Sequence, residues 1–132
     1  MKLITRDTDY AIRAIAYIAC AKGKITPAGE LTRALKIPRP FLRKILQKLN
    51  HFRLLKSYKG QGGGFILAVP AKKISLMQLI NIFQGPFRLN ECFLKKEACP
   101  NTAKCGLKRR IDNIERHLVK ELGAINIGCL LG

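Results

Sequence analysis

The stretch KIPRP at residues 36–40 constrains the fold more than any other in this chain. Pro38 and Pro40 lack the amide hydrogen that a helix interior needs, and each pushes the residue before it out of helical geometry, so no helix runs through the pair. Pro40 can still serve as the first residue of a new helix, where the missing donor would have had no partner. On the N-terminal side, Thr26 stands before Pro27, an N-cap followed by proline at the first helical position. A short helix follows to about Leu35, with Leu31 and Leu35 on its inner face. On the C-terminal side, Phe41, Leu42, Ile45, Leu46 and Leu49 face inward, leaving Arg39, Arg43, Lys44, Gln47 and Lys48 outward. Short helix, tight turn, basic helix: the pattern is a helix-turn-helix.

The flanking segments fit around it. Over residues 7–22, Ala11, Ala14, Ile15, Ile18 and Ala21 recur at spacings of three and four, Ile12 and Ala19 widen the apolar face, and Gly23 closes the helix. The period changes in RLLKSYKGQGGGFILAVP, residues 53–70. A strand LLKSYK, the run Gly60-Gln61-Gly62-Gly63-Gly64 and a strand FILAV ending at Pro70 predict a β-hairpin, which beside a helix-turn-helix is a wing. A phosphate-cradling P-loop would need a lysine-serine/threonine pair and a following helix, and both are missing. Ser75 caps a helix through Phe83, stopped by Gly85-Pro86.

Residues 107–122 predict a long helix with a narrow apolar seam of Leu107, Ile111, Ile114, Leu118 and Leu122, and an Asp112, Arg116, Lys120 series on another face. A narrow stripe on a charged helix suits a partner helix from a second copy, the alternative being packing on its own domain. The expectation is a mainly α protein with a small β-hairpin. Residues 1–84 form a winged helix-turn-helix DNA-binding domain, and 85–132 a cysteine-bearing loop followed by a dimerisation helix.

Charge selects the partner. The 132 residues hold 25 Lys+Arg against 8 Asp+Glu, a formal +17. Such an excess repels itself unless a polyanion takes it up, and nucleic acid ranks ahead of an anionic membrane or a merely solvated surface. From 36 to 59, eight of 24 residues are Lys or Arg and none is acidic. Arg39 and Arg43 lie one turn apart at the start of the candidate recognition helix, the part that enters a major groove deepest. Lys44, Gln47, Lys48, Arg53 and Lys56 suit flanking contacts, chiefly with phosphates, and the wing tip offers Lys59 and Gln61. Aromatic residues are few and not interleaved with the basic ones, which disfavours single strands. Two copies related by a two-fold axis would read a pseudo-palindromic operator in double-stranded DNA.

No segment approaches the roughly 18 apolar residues of a membrane span. Asp7, Asp9 and Arg13 interrupt the apolar stretch that a lipoprotein signal ending at Cys20 would need. The chain reads as cytoplasmic. With no paired carboxylates, no nucleophile–histidine set, and His51 and His117 placed as surface helix residues, it does not read as an enzyme.

Cys92, Cys99 and Cys105 stand with six and then five residues between them, amid Lys95, Lys96, Lys104, Lys108, Arg109 and Arg110. Four readings compete. A structural zinc site wants four ligands, usually in closer pairs. A disulfide with a spare thiol would make a redox switch. Unrelated thiols are the third reading, and Cys20 and Cys129 are well explained as small apolar residues. The favoured reading is an iron–sulfur cluster, since thiolates are its preferred ligands, the surrounding cations lower thiol pKa values, and Pro100 and Gly106 shape a wide loop.

From TDYAIRAIAYIA through IPRPFLRKILQKL and GQGGGFILAVP to the three cysteines and GCLLG, the chain resembles the Rrf2-type (IscR/NsrR-like) bacterial transcriptional regulators. The resemblance implies a homodimeric regulator, a repressor in the members it most resembles, controlled by a [4Fe–4S] or [2Fe–2S] cluster in each subunit that senses nitric oxide, redox state or iron status. Cys92, Cys99 and Cys105 match the family's cluster cysteines one by one. The histidine that some members place three residues past the last cysteine is Lys108 here. Asp9 matches the first-helix aspartate by which others reach the partner's cluster, and Asp7 is the next candidate. Members that lack the cluster keep a metal-free, thiol-redox-switched DNA regulator as the alternative. A zinc-containing basic RNA-binding protein is the rival from another class.

Overall fold

The computed structural model describes residues 3–89 and 106–130. Helix α1 spans Arg6–Cys20. Thr5 caps it by accepting from the Thr8 amide at 3.4 Å, and Asp7 and Asp9 in the first turn suit the positive end of the helix dipole. Its row of Ala11, Ala14, Ile15 and Ile18 is buried, as the spacing predicts, and carries the helix across the centre of the fold against α3 and α4. Ala21, expected on that face, is the C-cap instead.

Helix α2 (Ala28–Leu35) begins one residue later than its cap pattern suggests. Thr26 does not cap it. Its amide donates to the Phe65 carbonyl and its carbonyl accepts from the Phe65 amide, both at 2.9 Å, so residue 26 acts as a third strand position beside the hairpin. Two backbone hydrogen bonds to a distant strand outweigh one local side-chain cap. The Thr26 hydroxyl is left buried without a hydrogen-bond partner. Lys36 ends α2 in the left-handed region, φ 55°, with its amide on the Thr32 carbonyl at 3.1 Å.

Helix α3 (Arg39–His51) starts one residue before Pro40, with Pro38 as its N-cap. Leu42, Ile45, Leu46 and Leu49 are buried. Phe41, expected inward, is exposed at the helix edge, where the Arg6 guanidinium covers its ring at 4.6 Å from the centroid. A cation over an aromatic face is favourable at such a half-wet site, so the ring has a partner without entering the core.

Strands β1 (Leu55–Tyr58) and β2 (Gly64–Leu67) pair antiparallel, Leu55 opposite Leu67 and Tyr58 opposite Gly64. Gly64 explains the hairpin's seat, because a Cβ there would lie 2.3 Å from the Thr26 carbonyl oxygen. A 3₁₀ turn at Ala71–Lys73 leads to helix α4 (Leu76–Gln84), capped by the Ser75 hydroxyl on the Gln78 amide at 3.1 Å.

Helix α5 spans Gly106–Ala124 and α6 Ile127–Leu130. The chain returns through backbone bonds from Leu76 N to Ile125 O at 2.8 Å and from Ile127 N to Ile74 O at 2.9 Å. Ile127 is fully buried in the main core with α1 and α3. The division at residue 84 is therefore not clean: the last described residues belong to the core of the first part. Leu122 likewise differs from its expected place in an exposed seam, packing with Leu76, Met77 and Ile80 in a second core. Among the described residues α5 pairs Lys108 with Asp112 at 2.9 Å and places His117 Nε2 4.0 Å from Glu121 Oε1, while Arg116 donates to Asn113 rather than extending the expected series. No helix among the described residues is long and apolar enough to cross a membrane.

Candidate nucleic-acid interface

The four buried leucines and isoleucines of α3 lie along one side of the helix, which turns Pro40, Lys44, Gln47 and His51 to the opposite side and Arg39 and Arg43 to the edge facing α2. There Arg39, Arg43 and Gln47 rim a cleft of about 310 Å³ whose floor is Ala28, Leu42, Leu46 and Phe65. The structure thus brings Arg39, Arg43 and Gln47 together beside the wing. Thr32 and Phe65, which sequence reasoning missed, complete the lining. No local pattern signals them, because only the pairing of residue 26 with residue 65 brings β2 to the helices.

Lys48 does not join this face. Its ammonium lies over the Phe83 ring at 5.4 Å from the centroid, toward α4. Lys44, Arg53 and Lys56 are exposed, as are Lys59 and Gln61 at the wing turn. Arg53 adopts φ 62°, a left-handed residue just past the end of α3.

Between Glu30 and Glu91 the chain holds no acidic residue. Glu30, at the start of α2, accepts a hydrogen bond from the Tyr17 hydroxyl at 3.0 Å. That bond, followed by desolvation and the Glu30 charge, raises the phenol above its ordinary pKa, so Tyr17 stays a neutral donor. Among the described residues no carboxylate lines the cleft at Arg39, Arg43 and Gln47, and its field is one an anionic rod would follow.

Cys92, Cys99 and Cys105 lie outside the described residues. The chain leading to them is fixed by a bond from the Leu89 amide to Glu115 Oε1 at 2.8 Å. Asp9 is half-exposed and pairs with Arg13, Oδ2 to Nε at 3.1 Å. An exposed i,i+4 pair of this kind contributes little, so the carboxylate is free to exchange the guanidinium for another cation. Among the described residues, no group of three or more His, Cys, Asp or Glu side chains comes together. Cys20 and Cys129 are free, exposed thiols. Cys20 ends α1 off its buried row, and Ile127 takes the inward place on α6.

On α5 the expected seam grades along its length. Leu107 and Ile114 are exposed at 68% and 55%, Ile111 and Leu118 are half-buried, and Leu122 is covered. Val119, not foreseen, is also exposed. Beside Leu118 a cleft of about 390 Å³ is lined by Leu3 and residues 84–89.

Comparison with known proteins agrees with this geometry. The family model described as "Rrf2: Iron-dependent Transcriptional regulator" matches residues 4–132. The chain is 35% identical over 105 residues to protein aau3 of Rhizobium meliloti (strain 1021), covering 79% of this chain and 68% of that one. It is 34% identical over 102 residues to a protein of Aquifex aeolicus (strain VF5) named as an HTH-type transcriptional regulator, covering 76% and 71%. Among solved structures, CymR, the global cysteine regulator of B. subtilis, superimposes with TM-score 0.79 at 21% identity over 99% of this chain and 97% of that one. T. potens IscR gives 0.74 at 18% identity over 99% and 86%. At these identities the two structures speak to the fold, a winged helix-turn-helix with a long α5.

Proposed function

The chain belongs to the Rrf2 family of DNA-binding transcriptional regulators, and from that premise we propose that two copies grip a pseudo-palindromic operator in double-stranded DNA. The observation that carries this reading is the acid-free face on which Arg39, Arg43 and Gln47 stand beside the wing. Arg43 and Gln47 present planar donors to base edges, while Lys44, Lys56 and Lys59 contact phosphates and hold the register. Three such phosphate contacts per protomer give a dimer a slope of log affinity against log salt of roughly −5. The dimer forms along Leu107, Ile111, Ile114 and Leu118 of α5. Lining up two helices there sets the spacing of the two recognition helices.

In this proposal the protein is a cytoplasmic repressor, not an enzyme, and its grip depends on Cys92, Cys99 and Cys105. Those three residues would hold one iron–sulfur cluster per subunit, with Asp9 of the partner as the fourth ligand. When bound, such a cluster supplies an iron centre reactive toward nitric oxide and oxygen, with a charge that follows its redox state. Asp9 would give up Arg13 to serve, which ties ligation to the first turn of α1. The family description and the IscR likeness support the cluster.

The second reading is a metal-free thiol switch. The likeness to CymR, a cysteine regulator, favours it together with the cation-rich setting of the three cysteines, which favours thiolates. Family membership favours duplex DNA over the RNA-binding alternative. Anaerobic purification with iron and sulfide analysis decides between the two sensing readings. Iron and sulfide that vanish in Cys92→Ala, Cys99→Ala or Cys105→Ala support the cluster, and iron-free protein whose DNA affinity follows thiol oxidation supports the switch.

A further inference from the structure

Gln84, the last residue of α4, spends its whole side chain on the start of α1. Its Oε1 accepts from the Thr5 amide at 2.9 Å and from the Thr8 hydroxyl at 2.7 Å, and its Nε2 donates to the Leu3 carbonyl at 3.2 Å. Thr8 is fully buried, and these bonds join residues 76 to 81 apart in sequence. On either side of the joint, a neighbouring residue touches the recognition helix. Arg6, between Thr5 and Thr8, covers Phe41 at 4.6 Å, and Phe83, before Gln84, is covered by Lys48 at 5.4 Å. Phe41 and Lys48 lie seven residues apart on one edge of α3, the edge away from Arg39 and Arg43.

We propose that Gln84 is a positioning residue that fixes the angle of the recognition helix. It locks the first turn of α1 to the last turn of α4, and α3 rests on both through Phe41 and Lys48. The residue also stands where the chain leaves α4 for the cysteine-bearing segment. Gly85 (φ 80°) and Pro86 follow it directly, and the chain then crosses a cleft of about 390 Å³ to Leu89 and its bond to Glu115. That cleft borders residues 85–89 on one side, while Phe87 packs against the second core and Leu89 is tied to α5, so displacing Leu89 strains the segment back toward Gln84. A pull on this segment is carried by the Gln84 amide to α1, and by Phe83 to α3. This part of the inference rests on the proposed function, since it makes Gln84 the route by which the state of the cysteine-bearing segment reaches DNA.

The test uses full-length Gln84→Ala and Gln84→Glu, with Gln78→Ala as an exposed control on the same helix. Amide hydrogen exchange is followed across the chain. The expected result is exchange faster by about tenfold over Arg39–Leu46 in Gln84→Ala, with β1 and β2 unchanged, although none of the Gln84 hydrogen bonds reaches α3. Gln84→Glu keeps the two acceptor bonds and loses the donor to Leu3, and should fall between. Acceleration confined to α1, or equal acceleration everywhere, overturns the proposal.

DNA affinity is measured on the same proteins with the cysteines intact and with Cys92, Cys99 and Cys105 alkylated, in a Cys20→Ser/Cys129→Ser background. The ratio of the two affinities should collapse to within about twofold in Gln84→Ala. A ratio that survives while both affinities drop in parallel makes Gln84 merely structural and refutes the coupling. A wild-type ratio of one refutes the sensing function and the route together, and the exchange result then still decides whether Gln84 positions α3.

Discussion

Gly64→Ala tests whether the wing is seated as described. The new Cβ would lie 2.3 Å from the Thr26 carbonyl oxygen, 2.6 Å from its carbon and 2.8 Å from Pro27 N, all backbone atoms with no flexible side chain to yield. The least costly escape is to part β2 from residue 26, which breaks both 2.9 Å bonds between Thr26 and Phe65. Each lost bond costs about 1 kcal/mol net, and up to about 2 where its groups stay buried and unpaired, so the substitution should cost about 3 kcal/mol. In a domain of this size that lowers Tm by about 10 °C. Gly62→Ala is the internal control. Gly62 has φ 79° but nothing within 4 Å of an added Cβ, so only the left-handed backbone is penalised, at about 1 kcal/mol. Urea unfolding followed by circular dichroism at fixed protein concentration measures both. Equal costs for the two variants would refute the steric argument, and with it the role of residue 26 as a strand position. DNA affinity gives a second reading, since on the proposed function a wing parted from α2 would carry Lys59 and Gln61 off the duplex.

The other expectations follow from the same geometry. Arg43→Ala should weaken a cognate site by about 1–3 kcal/mol and random DNA much less, whereas Lys44→Ala should weaken both alike and reduce the salt slope by about 1 per protomer, as anisotropy titrations at several salt concentrations would show. Lys48→Ala should barely move the salt slope and should cost about 0.5–1 kcal/mol of stability through the lost contact with Phe83, since Lys48 faces α4. Ile114→Lys should split the dimer in sedimentation without unfolding the protomer. Leu122→Lys should unfold it, and a Leu122→Lys protein that stays folded with full ellipticity would contradict the second core.

The sequence disclosed those parts of the fold that local chemistry decides. The buried row of α1, the break at 36–38, the Ser75 cap and the hairpin all follow from spacing, proline and glycine, and the structure has them within a residue or two. What it concealed depends on contacts between distant segments. Thr26 has every mark of a cap, but its backbone is claimed by Phe65. Phe41 satisfies the inward periodicity, yet Arg6 offers its ring a partner at the surface. Lys48 belongs to the basic run by sequence and to Phe83 by position. Leu122 continues the α5 stripe but turns onto Leu76, Met77 and Ile80 of α4. The Gln84 joint had no sequence signal, since a glutamine closing a helix is ordinary until its three partners, some eighty residues away, are in view.

The most direct measurement is the affinity of air-protected protein for a duplex it selects from a random DNA pool, before and after its iron is removed by a chelator. The account predicts iron and sulfide in the starting material and a change in affinity of about tenfold or more on their removal. Material that starts without iron, or that binds the same DNA equally well throughout, would contradict it.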